Sequence, residues 1–176
     1  MNRVQRIDQS RFLGREFLLW LWFFSEQNKS TFKLKEYGEI ELFIDDKLVL
    51  EPIFGEGNRH SLSGYDPATS PEAALALLLN KIPSEAKFKI VHEDRAWAFS
   101  MKGDDLQLRA LKIPDVLTDS NDEKVAERLY LIEEIESIMQ SIFSLFLSQR
   151  IDPQWSQQAL SIKNWITEKT TEAELA

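Results

Sequence analysis

Phe12–Glu26, FLGREFLLWLWFFSE, decides how the rest of the chain must be arranged. Its centre, Phe17 to Phe24, is eight consecutive apolar residues between an Arg15-Glu16 pair and the polar exit Ser25-Glu26-Gln27-Asn28. A helix on the surface of a soluble domain shows one apolar stripe. This one is apolar all the way round, so other elements must cover it on nearly every side, and it becomes the hub of the fold. The run is far shorter than the roughly 20 residues that a membrane span needs. Ser10 can cap a helix from about Arg11 to Asn28, with Gly14 in its first turn. Residues 1–9 read as a flexible arm.

Strand signals follow. Thr31–Lys35 alternates with period two, then Glu39–Ile44 (EIELFI) and Lys47–Ile53 (KLVLEPI) flank Asp45-Asp46, an acidic two-residue hairpin turn. Gly55-Glu56-Gly57-Asn58 is a second turn, and Arg59–Tyr65 a further strand. Ser70-Pro71 starts a helix, with Ser70 as N-cap and Pro71 at the first helical position; the helix ends before Ile82-Pro83. The pattern then restarts: Lys87–His92, a turn at Glu93-Asp94, Arg95–Met101, a turn at Lys102–Asp105, and Leu106–Ile113. Three meandering strands and a helix, twice over, suggest a βββα duplication; one six-stranded sheet without repetition fits the same strings.

From about Asp122 to Arg150, Val125, Leu129, Ile132, Ile135, Met139, Ile142 and Phe146 recur at steps of three and four, the seam of an amphipathic helix. Asp152-Pro153 starts a shorter helix carrying Trp155, Leu160, Ile162, Trp165 and Ile166, and residues 168–176 read as a flexible acidic tail. The expected fold is a single α+β domain over 10–167. An antiparallel sheet from two three-stranded meanders packs on the N-terminal hub helix and a C-terminal helical pair. At 43% apolar residues, with five Trp and eleven Phe, the chain can fill that core.

Composition excludes several chemistries. The absence of cysteine removes disulfides, thiolate zinc sites and a cysteine nucleophile. His60 and His92 form no metal motif, and no glycine-rich phosphate loop is present. Asp45-Asp46, Glu93-Asp94 and Asp104-Asp105 sit at expected turns, where Asp is favoured for its own backbone hydrogen bonds, and Glu133-Glu134-Glu136 reads as a solvated helix face. A carboxylate-metal nuclease is therefore a minor reading. No catalytic residue, metal ligand or cofactor is assigned, and the chain reads as no enzyme. No secretory signal is visible, because MNRVQRIDQSR lacks a following small-residue cleavage site; a cytoplasmic protein with no membrane partner is expected.

Charge is uneven. The net charge of −8 divides into +4 over residues 1–35, −6 over 36–118 and −6 over 119–176. Lys33 with Lys35, and Lys87 with Lys89, alternate along strands, so each pair makes a small basic stripe that can meet phosphates without reading bases. Arg11, Arg15 and Arg59 complete the candidate DNA-contacting set. The bland alternative is that strand lysines block edge pairing and that N-terminal arginines solubilise a chain end. Phe143, Phe146 and Leu147 either close the core or offer a face to a second copy.

The segment FLGREFLLWLWFFSE followed by GEIELFIDDKLVLE resembles a segment of long proteins of the RdgC-like, recombination-associated family. SPEAALALLLNKIP and ERLYLIEEIESIMQSIF are similar to later parts of that segment, so the resemblance runs from about Phe12 to Trp165. It implies a non-enzymatic, nucleoid-associated protein that binds DNA with little sequence preference, modulates RecA-dependent recombination and self-associates. This chain is shorter than those proteins and is not basic in composition, so no individual residue is carried over from the family. The leading expectation is a DNA-associated protein whose partners are double-stranded DNA and a second copy of itself. The alternative is an acidic protein-interaction or scaffold domain without DNA contact.

Overall fold

The structure, a computed structural model, describes residues 3–53 and 57–175, with side chains over 13–53 and 57–171. The helix α1 (Arg3–Gln27) is followed by strands β1 (Thr31–Leu34), β2 (Gly38–Pro52) and β3 (His60–Ser63). A 3-10 turn at Pro67–Thr69 leads into α2 (Pro71–Leu78). Then come β4 (Lys81–His92), β5 (Arg95–Lys102), β6 (Leu108–Lys112), α3 (Asn121–Arg150) and α4 (Trp155–Leu175). This is the α+β architecture expected. Two helical ends differ: α1 begins at Arg3, ahead of Arg11, and α4 runs on to Leu175.

One antiparallel six-stranded sheet forms, in the order β1–β2–β4–β5–β6. β3 shares the outer edge of β2 with β1: β1 pairs along Gly38–Glu41, and β3 along Lys47–Leu50. Three strands and a helix do occur twice, but only β4–β5–β6 is a simple meander. The expected hairpin at Asp45-Asp46 is absent, because β2 runs straight through the pair for 15 residues. Ile44 lies opposite Phe88 and Leu48 opposite Ala86, so Asp45, Asp46 and Lys47 all face the single residue Lys87. The surplus on β2 is an even number of residues, so the bulge leaves Ile40, Leu42, Ile44, Leu48 and Leu50 on one face. A bulge forms rather than a reversal because both halves of β2 keep β4 as a partner, while Lys87 holds both carboxylates, Asp45 at 3.1 Å and Asp46 at 2.6 Å.

Strand β4 starts earlier than expected, at Lys81, and takes in Ile82-Pro83. Proline is tolerated there because a register shift falls beside it, between Val49–Glu85 and Leu50–Pro83. The turn at Glu93-Asp94 forms as expected, closing β4 on β5 with His92 opposite Arg95. The N-cap at Ser70 is also as expected, its hydroxyl accepting from the Ala73 amide at 3.2 Å. Of the second turn, residues 54–56 lie outside those described.

The helices bury one face of the sheet. Trp20, Trp22, Phe17 and Leu18 of α1 share a continuous core with Phe88 and Ile90 of β4, Trp97 and Phe99 of β5, and Ile135, Ile142 and Phe146 of α3. The hub expected of the apolar run is real: Leu18, Trp20 and Leu21 are entirely excluded from solvent. Polar ties fix the arrangement, with Ser25 Oγ donating to the Leu42 carbonyl at 2.8 Å and Trp20 Nε1 to Gln149 Oε1 at 3.0 Å. The core contacts of α3 begin only at Leu131; Val125 and Leu129, expected in its seam, are 57% and 56% exposed. At 30 residues, about 45 Å, the helix outruns the sheet it covers.

Candidate nucleic-acid interface

The other face of β4–β6 bears no helix, and its side chains follow from the register. In antiparallel strands, directly opposed residues project to the same side. One row across the sheet is therefore Phe43, Lys89, Ala98, Lys112. The next is Lys87, Ser100, Arg109, and a third is Val49, Glu85, Lys102. Along the middle strand the outward residues are Ala96, Ala98 and Ser100, all small. The result is a shallow trough with β5 as its floor, Lys87 and Lys89 along one wall, Arg109 and Lys112 along the other, and Lys102 at one end. With strands about 4.8 Å apart, the walls stand about 10 Å apart at the backbone. Ala96, Arg109 and Lys112 are exposed, Lys87, Lys89, Ala98, Ser100 and Lys102 partly so, and Val49 and Glu85 beside Lys102 are buried.

A second bulge builds the far wall. Ala98 lies opposite Lys112 but Ser100 lies opposite Arg109, so β6 spends an extra residue between them, with Ala110 at φ 49. Strict alternation would send Lys112 to the face opposite Arg109. The bulge returns both cations to the trough.

The charges are not equally free. Lys87 is clamped by Asp45 and Asp46. Its hydrogen bond holds the Asp46 carboxyl below the ordinary range, and the same bond raises the lysine. Arg109 pairs with Asp105, whose carboxyl is lowered first by the Gln107 amide and then by this arginine. Glu85 is pushed up by burial, but the hydrogen bond from Lys47 and the charges of Lys47, Lys102 and Arg59 outweigh that and hold it low. Among the described residues Lys89, Lys102 and Lys112 form no ion pair with a carboxylate.

Of the candidate DNA-contacting set read from the sequence, the fold brings only Lys87 and Lys89 together here. Arg15 lies at the end of the sheet, 2.8 Å from Glu51 and 3.5 Å from Asp104. Arg59 is spent on Glu51 and Glu85, at 3.8 and 3.4 Å. Lys33 sits on the far strand β1, paired with Glu39 at 3.1 Å, and Lys35 is exposed in the turn after it. The Arg11 side chain lies outside the described residues. Lys112 escaped the sequence reading because the bulge in β6 breaks the alternation that such a reading relies on, and Lys102 because it ends β5 where a turn was expected.

The residues considered for self-association are mostly interior. Phe146 is wholly buried, 5.3 Å from the Phe17 ring and 5.4 Å from Trp20. Phe143 stands edge-on to Phe17 at 5.0 Å and is half-buried, as is Leu147. Among the described residues no cluster of three or more His, Asp or Glu is placed to hold a metal ion, and no helix is long and apolar enough to cross a membrane. No protein-family model matches the chain, and no curated protein sequence matches it either.

Proposed function

We propose that this chain is a non-enzymatic DNA-associated domain that meets phosphates through the open face of β4–β6. Lys89, Lys112 and Lys102, in no ion pair among the described residues, make the leading contacts, with Arg109 and Lys87 beside them. The observation that carries this reading is the two cross-strand rows, Lys89–Ala98–Lys112 and Lys87–Ser100–Arg109, which set cations on both sides of a floor of small residues. Such a trough admits a backbone closely, and no arginine in it is free for bidentate reading of a base, so little sequence preference follows. The resemblance of the hub helix and the β2 segment to the RdgC-like family points the same way and extends the proposal to a role in recombination.

The test is fluorescence anisotropy of a labelled random-sequence duplex across a salt series. Three phosphate contacts predict a log–log slope near −3 and a loss of about forty-fold between 50 and 200 mM salt. The paired substitution Lys89→Glu with Lys112→Glu should abolish binding at every salt concentration. No binding at low salt, or binding that ignores the double substitution, removes the proposal. A second reading, a protein-interaction domain, is favoured by the acids that border the same trough (Glu41, Asp45, Asp46 and Glu85) and by the net charge of −8. It predicts no anisotropy change with duplex at any salt concentration.

A further inference from the structure

His92 closes β4 against α3, and its two ring nitrogens face opposite demands. Nε2 lies 3.1 Å from the carbonyl oxygen of Tyr37. A carbonyl only accepts, so Nε2 carries a hydrogen. Nδ1 is sealed from solvent, has no hydrogen-bond partner, and points at Glu134 Oε1, 3.5 Å away. The Glu134 side chain is itself only 6% exposed, and its other oxygen accepts from Arg95 Nη1 at 2.5 Å. A neutral ring with hydrogen on Nε2 therefore aims a lone pair at a buried carboxylate, acceptor against acceptor. A doubly protonated ring turns the same contact into donor against acceptor, an imidazolium–carboxylate ion pair at 3.5 Å, while Nε2 keeps its bond to Tyr37.

We propose that His92 is a proton-controlled latch holding the β4–β5 hairpin to α3. With the proton on, the ring ties three elements together: the β1–β2 connection through Tyr37, strand β4, and α3 through Glu134. With it off, the contact to α3 becomes repulsive, and the hairpin loosens there. The charged groups around the ring come from every element that packs on it. Glu134 of α3 favours the proton, as does Glu93 in the turn, which is 3.5 Å from Arg95. Arg95 of β5 opposes the proton and competes for Glu134. Tyr37 stays fixed throughout, because its hydroxyl donates to Ser137 of α3 at 2.7 Å.

His60 is an internal contrast. Its Nε2 lies 3.0 Å from Lys81 Nζ. An ammonium only donates, so that nitrogen accepts, which a doubly protonated ring cannot do. The two histidines thus face opposite partners: Nδ1 of His92 a carboxylate, Nε2 of His60 an ammonium.

A local reporter lies in the same interface: Trp97 Nε1 of the hairpin donates to the Leu131 carbonyl of α3 at 3.0 Å. The Trp20 indole, bonded to Gln149 well away from the hairpin, serves as reference. Hydrogen exchange of the two indoles, corrected for intrinsic rates, should diverge between about pH 5 and about pH 8, the range in which imidazole changes charge. Trp97 should lose roughly tenfold in protection relative to Trp20 as the pH rises, and His92→Gln should flatten the ratio. A flat ratio in the unaltered protein, or a pH-dependent ratio that survives His92→Gln, overturns the latch. Ring-nitrogen NMR of the unaltered chain gives an answer that does not require the variant to fold. At the acid end of that range both His92 nitrogens should be protonated, and a bare His92 Nδ1 there overturns the proposal.

Discussion

Gly14 and Gly103 meet backbone to backbone where α1 crosses the end of β5. A β-carbon on Gly14 would lie 1.9 Å from the Gly103 carbonyl oxygen, and one on Gly103 would lie 2.9 Å from the Arg15 amide nitrogen. The pair sets how closely the hub helix lies on the sheet. Because α1 starts at Arg3, Gly14 is in a helix interior, where alanine is ordinarily better by about 1 kcal/mol. The contact reverses that sign. Gly14→Ala should destabilise the domain by about 2 kcal/mol or more, since the atom struck is backbone and the helix must move. Urea unfolding measures it, and a variant more stable than the parent would show that α1 lies elsewhere.

Phe146 separates a core role from an interface role. Its ring is enclosed by Phe17, Trp20, Phe143 and Trp155, all with centroids within 6.0 Å. Truncation to alanine should cost about 3–5 kcal/mol, the loss expected of a large buried aromatic. The sedimentation coefficient of the folded fraction should not change. A variant of ordinary stability that shifts from dimer to monomer would move this residue from the interior to a contact between copies.

The cations of this chain divide by partner. Arg15 and Arg59 are tied to Glu51, Glu85 and Asp104, whereas Lys89 and Lys112 project freely into the trough. Arg15→Ala should lower stability by about 1–2 kcal/mol, because its side chain is largely buried and it leaves Glu51 without its closest partner. It should leave duplex affinity within a factor of about two. Lys89→Ala should do the reverse, reducing affinity several-fold and flattening the salt slope by about one, with stability changed by less than about 0.5 kcal/mol. Parallel anisotropy and unfolding curves on the two variants decide it, and equal effects on both quantities would erase the division.

The sequence told most about the fold where pattern and burial agree. The apolar run Phe17–Phe24 had to be interior, Ser70-Pro71 had to open a helix, and Glu93-Asp94 had to close a hairpin; each does. It failed where one pattern serves two structures. Asp45-Asp46 between alternating runs has the same appearance whether the chain reverses or bulges, and the outcome rests on Lys87, which lies in another strand. The bulge in β6 has the same effect on the trough: LQLRALKI alternates on paper, while Ala110 at φ 49 resets the phase and brings Lys112 beside Arg109. Long-range pairing, invisible in a local window, decides both.

The clamp of Asp46 on Lys87 at the β2 bulge gives a pH dependence with a definite sign. The Asp46 carboxyl is held low by Lys87, so its contribution is present above the ordinary carboxylate range and is lost as pH falls through its lowered value. Lys87 is raised, so its contribution persists through neutral pH and disappears only as pH rises above the ordinary lysine range, about pH 10. The pair lies at the surface, which limits the effect to about 0.5 kcal/mol. Asp46→Asn should therefore lower the urea midpoint slightly at about pH 7, and the difference from the parent should shrink as pH falls below the ordinary carboxylate range and the parent carboxylate takes up its proton. A larger effect in acid than at neutrality would contradict the clamp.

Glu26 is where α4 is fastened to α1. Its carboxylate accepts from Trp22 Nε1 at 2.6 Å, from Trp165 Nε1 at 2.8 Å and from Lys169 Nζ at 2.8 Å. The ammonium also lies 5.3 Å from the Trp22 ring and 5.7 Å from that of Trp165, so one charge serves two helices. Glu26→Gln preserves the shape but gives these donors one acceptor where there were two, and leaves Lys169, only 12% exposed, without a counter-charge. The loss should be about 2 kcal/mol, and local. Amide exchange along α4 should quicken by roughly tenfold while that of β4 and β5 stays as in the parent, because the core beneath Phe88 and Phe99 does not depend on this contact. Uniform quickening across sheet and helix would mean that α4 does not open on its own, and that Glu26 holds the whole domain together rather than its last helix.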